Sequence, residues 1–245
     1  MRKLLLLTLL SATACSGKGT PDDTGAVGDG DPSNNADADA DEGTESDTLA
    51  ATIRLLDATS GAGFQGATIE APDGSTATTG MDGGATLSLE TGGTFEFRVR
   101  DEGAIDHLIF GPTGNEDFTY LTFVATESLL SMVNGLLGTS QATGTGLMVV
   151  AIDYDDLTPA VGATASIGSA HDSSWVMGTA GPTFGNTIPT NGGGFVVFPN
   201  IPPGETSITV VPPSGTTCSA FPGGGQMPNA PVLMNHVSVV TFHCR

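Results

Sequence analysis

Two stretches of the chain, IRLLDATSGAGFQGATI at residues 53–69 and VVAIDYDDLTPAVGATA at residues 149–165, lie over one another. Asp57 and Asp153 take the same place in this overlay, and each is followed by Gly-Ala-Thr, as Gly66-Ala67-Thr68 and Gly162-Ala163-Thr164. Each copy then reaches a glycine-rich turn, residues 80–84 or 191–194, and a further segment, ATLSLETGGTFEFRVR or FVVFPNIPPGETSITVV. Self-similarity of this kind means one supersecondary unit built twice. Its period is two: Phe95, Phe97 and Val99 alternate with Thr94, Glu96, Arg98 and Arg100, so one strand face is apolar and the other wet. An apolar face needs a second sheet over it. The 35 Gly and 15 Pro supply the turns that many short strands require. Gly-Ala at the head of a strand suits a place where backbone approaches backbone closely.

The second copy, with Phe195, Ile201-Pro202-Pro203-Gly204, Ile208 and Val210 after its glycine turn, resembles the carboxypeptidase regulatory-like domain. The resemblance covers residues 146–245 and is looser in the first copy, where Glu90-Thr91-Gly92-Gly93 stands in place of Pro-Pro-Gly. It implies a transthyretin-like sandwich, a place on exported proteins and no activity of its own. The expected fold class is therefore all-β: two small transthyretin-like or Ig-like β-sandwich modules, residues 50–124 and 146–245, joined by one α-helix in a linker at 125–145. In that linker Thr126 suits an N-cap, Leu129, Leu130, Val133, Leu136 and Leu137 form an apolar stripe, and Gly138 fits the C′ position. Such a stripe serves as a strut packed between or against the modules, or as a partner-binding face.

Residues 1–14 read as a secretory signal, with Arg2 and Lys3 ahead of an apolar run, Leu4 to Leu10, too short to span a bilayer. Ala12-Thr13-Ala14-Cys15 resembles the lipobox of bacterial lipoproteins, which implies acyl chains such as palmitate on Cys15, and Ser16 resembles the sorting signal for the outer membrane. Several chains at about 0.8 kcal/mol per buried CH₂ hold a protein on a membrane. The competing expectation is cleavage by general signal peptidase after Ala14, leaving a free thiol. Residues 15–49 hold an acidic run with almost no large apolar side chain and read as a disordered acidic tether. A flexible coil of this length places the folded part on the order of 30 Å from the membrane. Asp37, Asp39 and Asp41 begin like an EF-hand loop, but Glu42 replaces the turn glycine and Thr48 the bidentate glutamate, so a solvated charge run is expected instead.

With 27 acidic against 7 basic residues the net charge is -20, which repels polyanions and excludes nucleic acid as a partner. The only lysines are Lys3 and Lys18, so the folded part cannot form the lysine–asparagine crosslink of adhesin sandwiches. Of the 3 cysteines, Cys218 and Cys244 remain as a pair for a disulfide, with two separate buried thiols or a metal pair including His243 as the alternatives. The 4 histidines and 2 tyrosines admit an intradiol-dioxygenase-like iron site, a metal-dependent enzyme on a sandwich scaffold. Its Arg-x-His-x-His signature is missing, and His236 and His243, an odd number apart, point to opposite faces of any one strand. No catalytic residue, metal or cofactor is expected. The remaining candidate is an insertion at 168–189, without counterpart in the first copy, that carries the single Trp175 beside His171 and Asp172. Trp175 there either anchors a glycan or peptide ligand on a surface loop or caps an open end of the core. Together these features describe a non-enzymatic envelope lipoprotein, periplasmic or surface-exposed, acting as a binding or structural module.

Overall fold

The computed structural model describes residues 48–245; the signal expected at 1–14, Cys15 as the expected lipid site and residues 16–47 of the expected tether lie outside the described residues. The first half is seven strands, Thr48–Asp57 (β1), Thr68–Glu70 (β2), Thr76–Thr78 (β3), Gly84–Glu90 (β4), Thr94–Arg100 (β5), Asp106–Pro112 (β6) and Phe118–Val124 (β7). The helix Glu127–Leu137 (α1) follows, then Gly146–Tyr154 (β8), Thr164–Ile167 (β9), Trp175–Gly178 (β10), Gly181–Phe184 (β11) and Phe195–Ile201 (β12). The chain ends with Gly204–Thr206 (β13), Ile208–Val211 (β14), Cys218–Ala220 (β15), Ala230–Val232 (β16) and His236–Cys244 (β17). The fold is all-β with a single helix among the described residues. β1 starts at Thr48 and buries Leu49, so the first sandwich takes in the last two residues expected of the tether.

In the first half a sheet of order β4-β1-β7 covers β6-β5-β2-β3. Ile53, Leu87 and Tyr120 from one sheet meet Ile69, Phe97 and Ile109 from the other in a single core. In the second half, the pairs β9–β14 and β13–β16 cover strands β12, β8 and β17, and Ala165 and Val232 meet Met148, Val150, Phe198 and Val240 beneath them.

The repeat is visible in the hydrogen bonds. Leu55 N–H donates to the Gly83 carbonyl at 2.9 Å and Ile152 N–H to that of Gly194 at 2.7 Å. Gly66 N–H bonds Thr79 as Gly162 N–H bonds Ile188, and Phe64 N–H returns to Leu55 as Ala160 N–H returns to Ile152. These pairs align Leu55 with Ile152, which shifts the overlay by one residue and sets Asp57 opposite Tyr154 rather than Asp153; the intervening turn is one residue shorter in the second copy. Gly66 and Gly162 also correct the expectation of close backbone approach. A Cβ on either meets nothing within 4 Å, and what requires glycine is φ of +91° and +88°.

The helix links the two sandwiches in sequence, but the sheet joins them in space. β17 runs parallel to β8 on one side and to β6 of the first sandwich on the other. One ten-stranded sheet, β11-β10-β12-β8-β17-β6-β5-β2-β3 with β15 attached to β17, therefore runs through both halves. Register fixes its faces. Val239 stands opposite Ile109 and Val149, on the face that carries the first core. Val240 stands opposite Val150 on the other face, where Phe110 of β6 joins the second core. The two sandwiches thus cover opposite faces of one sheet. α1 fills the remaining area of the first face, where Leu129, Leu130, Val133 and Leu137 pack over Leu147, Trp175, Val197 and Val237. Its ends are as the sequence implies: Thr126 Oγ1 accepts from Leu129 N–H at 3.2 Å, and Gly138 is left-handed with φ 68°. Leu136 is 67% exposed, because it lies at the rim of the stripe centred on Val133.

Candidate functional site

Residues 168–189 are a strand pair rather than a loop. Trp175, Val176, Met177 and Gly178 pair with Phe184, Thr183, Pro182 and Gly181 across the Thr179-Ala180 turn, and β10 in turn pairs with β12, so the segment extends the long sheet. Trp175 stands opposite Val197 on the α1 face, 7% exposed, with its ring perpendicular to that of Phe195 at 6.4 Å. Of the two roles the sequence left open for it, this burial matches the cap on the core and not the surface anchor: the strand pairing turns the indole under the helix, where burying so large a ring is strongly favourable. His171 and Asp172 lie in the exposed lead-in to β10. The His171 ring stands edge-on to Phe198 at 5.0 Å, on the face opposite Trp175, and its Nδ1 lies against the Asp172 carbonyl. The three candidates are therefore not brought together.

What organises this end of the molecule is Asn200, a residue the sequence reading passed over. It sits with φ 58° where the β12–β8 register shifts between Phe198 and Ile201. Its Nδ2 donates to Asp172 Oδ2 at 2.6 Å and to the Ser140 carbonyl at 2.8 Å, while its Oδ1 accepts from Ala142 N–H at 2.6 Å and Thr145 Oγ1 at 3.2 Å. The lead-in to β10 is thereby tied to the linker that follows α1. The sequence signal was Asn between Pro199 and Ile201-Pro202: asparagine tolerates the left-handed region at a strand irregularity.

A second polar group lies along the seam. Thr241 Oγ1 donates to the Tyr120 hydroxyl at 2.8 Å, connecting β17 to the first core, and His243 stacks on Phe221 with centroids 4.1 Å apart. His243 Nδ1 is 3.5 Å from Asp155 Oδ1, and Arg245 Nε donates to Asp155 Oδ2 at 2.8 Å. Burial pulls the His243 pKa down, with Asp155 acting against it. Burial raises Asp153, register partner of His243, to about 7, and lifts Tyr120 above the usual phenol range. His107 is pushed down to about 4 by burial, and its geometry fixes the tautomer: Nε2 accepts from Ala125 N–H at 3.1 Å, so the proton sits on Nδ1 and is donated to the Ile105 carbonyl at 2.5 Å. Both nitrogens are thus occupied in holding the chain that leads into α1. His236 and His243 lie at the two ends of β17, about 20 Å apart at strand rise. No three His, Cys, Asp or Glu side chains lie together as a metal site among the described residues.

Cys218 and Cys244 are register partners on β15 and β17 and are disulfide-bonded, with Cα atoms 4.0 Å apart and a sequence separation of 26. Closing a loop of this size stabilises the fold by about 3.5 kcal/mol through the unfolded chain. No helix among the described residues is long and apolar enough to cross a membrane.

No protein-family model matches the chain, and no curated protein does. Among solved structures it is similar to the minor pilin GBS52 of Streptococcus agalactiae, at 13% identity and TM-score 0.28 over 80% of this chain and 95% of that one. The Bacillus anthracis TIE protein is similar at 14% identity and TM-score 0.27, over 80% of this chain. This chain spans 34% of the TIE protein's length. The shaft pilin SpaA of Lactobacillus rhamnosus GG is similar at 10% identity and TM-score 0.24, over 80% of this chain and 96% of that one. Superpositions this loose assign the chain to no family.

Proposed function

We propose that the chain is a non-enzymatic cell-envelope lipoprotein, held through lipid on Cys15, that presents its double sandwich as a surface binding or structural module. The observation that carries this proposal is the seam, in which the last strand pairs on both sides and binds two cores into one sheet. Such a body keeps its two ends at a fixed separation, which suits a spacer or a platform for other molecules. The Cys218–Cys244 bond belongs to an oxidising compartment and so to an exported chain. The second sandwich is proposed to be a carboxypeptidase regulatory-like domain, and a glycan or peptide at the 168–189 segment would meet His171 and Asp172 rather than Trp175.

The test is fractionation of cells producing the full chain and its Cys15→Ser variant, with mass spectrometry of the mature N-terminus. The expected result is acylated protein in the membrane fraction and release of the variant to the soluble fraction. An unmodified Cys15, or a variant that stays with the membrane, overturns the anchor.

A further inference from the structure

We propose that the groove between α1 and the strand ends beneath it binds an extended basic peptide. The groove has a volume of about 560 Å³. Its floor is apolar, formed by Ile105, Leu130, Leu147 and Val237, and its charged wall is Glu127 on the first turn of α1. The basic side chains of the described residues are Arg54, Arg98, Arg100 and Arg245, and none of them lines it. His236, also on the wall, donates from Nδ1 to the Met234 carbonyl at 2.8 Å, and its Nε2 lies 3.8 Å from Asp106 Oδ2. The apolar floor and the Glu127 carboxylate match the alkyl stem and cationic head of lysine or arginine. The net charge of -20 draws such a segment in.

Gly135 supplies an independent observation. It lies inside α1 on the groove side, where glycine is among the poorest helix formers, yet a Cβ there meets nothing within 4 Å. Neither close packing nor backbone conformation asks for glycine at this position. Its effect is to keep the groove open. From Glu127 to Gly135 the wall is about 12 Å long, room for three or four extended residues. The segment Val-Lys-Leu-Lys fits these requirements, with apolar side chains on the floor and an ammonium group toward Glu127.

The proposal goes beyond the anchoring role and stands without it. The test titrates the ¹⁵N-labelled full chain with acetyl-Val-Lys-Leu-Lys-amide and with acetyl-Val-Glu-Leu-Glu-amide, following amide shifts. The lysine peptide is expected to shift groove residues such as Leu130, Asn134 and Gln141, and the glutamate peptide to leave them in place. Gly135→Leu, which fills the groove without altering charge and improves helix propensity, is expected to weaken binding by about tenfold or more. Glu127→Gln is expected to weaken it about threefold, the worth of one exposed ion pair. Equal binding of both peptides, shifts spread over the acidic surface that survive Gly135→Leu, or no groove shifts at millimolar peptide would each overturn it.

Discussion

His107 and Asp153 are both withdrawn from water, and burial moves their proton equilibria in opposite senses. His107 stays neutral in the native state down to about 4, while in the unfolded chain it takes up a proton near 6.5. The unfolded state therefore binds the extra proton in that window, and stability falls as pH drops from 6.5 toward 4. Asp153 keeps its proton up to about 7 in the native state and loses it near 3.8 when unfolded. Its contribution is complete below 3.8 and is lost as pH rises through 7. Between pH 4 and 6.5 the two slopes, each about 1.4 kcal/mol per pH unit for one proton, offset one another. Asp153→Asn is expected to uncover the histidine slope, so that the variant gains stability relative to the parent as pH rises across this window. His107→Gln is expected to do the reverse. Urea midpoints at pH 4.5 and 6.5 for parent and both variants measure this, and a parent-to-variant difference that ignores pH would refute the assignment.

Asn200 shows how one side chain can fix three segments. Replacing it by alanine removes four hydrogen bonds and leaves a Cβ residue at φ 58°, a cost of roughly 2 to 4 kcal/mol in total. Glycine tolerates the same φ, so Asn200→Gly should lose less than Asn200→Ala in chemical denaturation; equal losses would show that the left-handed backbone contributes nothing. What could be read from sequence here follows from local rules. Alternation placed Phe95, Phe97 and Val99 inward, capping chemistry placed the ends of α1 at Thr126 and Gly138, and Val240, Phe242 and Cys244 of β17 do face a core. The other face of β17 was missed. Val237, Val239 and Thr241 are buried too, and on β8 Leu147 is buried and Val149 half-buried opposite the fully buried Met148 and Val150, because these strands are central and parallel and have a packed layer on each side. The signal was present as a nearly unbroken β-branched run from Val237 to Phe242. Trp175 was left open between surface and core for a related reason, since its exposure depends on where β10 pairs, a non-local choice that no window around residue 175 contains.

The pairing of β17 with β6 decides whether the chain behaves as two bodies or one. Two sandwiches on a peptide linker would unfold separately, each at its own midpoint. Here the linker is bypassed: four register pairs, from His236 with Asp106 to Val239 with Ile109, join the halves in one sheet. The Thr241–Tyr120 hydrogen bond and the packing of Phe221 against Phe118 and Tyr120 add contacts beside them. Opening the first sandwich exposes the edge of β17 and strips cover from strands that the second sandwich also uses, so the loss is shared. The single Trp175 reports on the second half, under α1, while Phe97 is fully buried in the first core. Phe97→Ala removes a core ring at a cost of about 3 to 5 kcal/mol. If the seam couples the halves, the tryptophan emission transition should move down by about 1 to 2 M urea and stay superimposed on the loss of far-ultraviolet circular dichroism. A tryptophan midpoint that stays where it was, with only part of the dichroism lost early, would mean that the shared sheet parts at β17 and that each sandwich keeps its own stability.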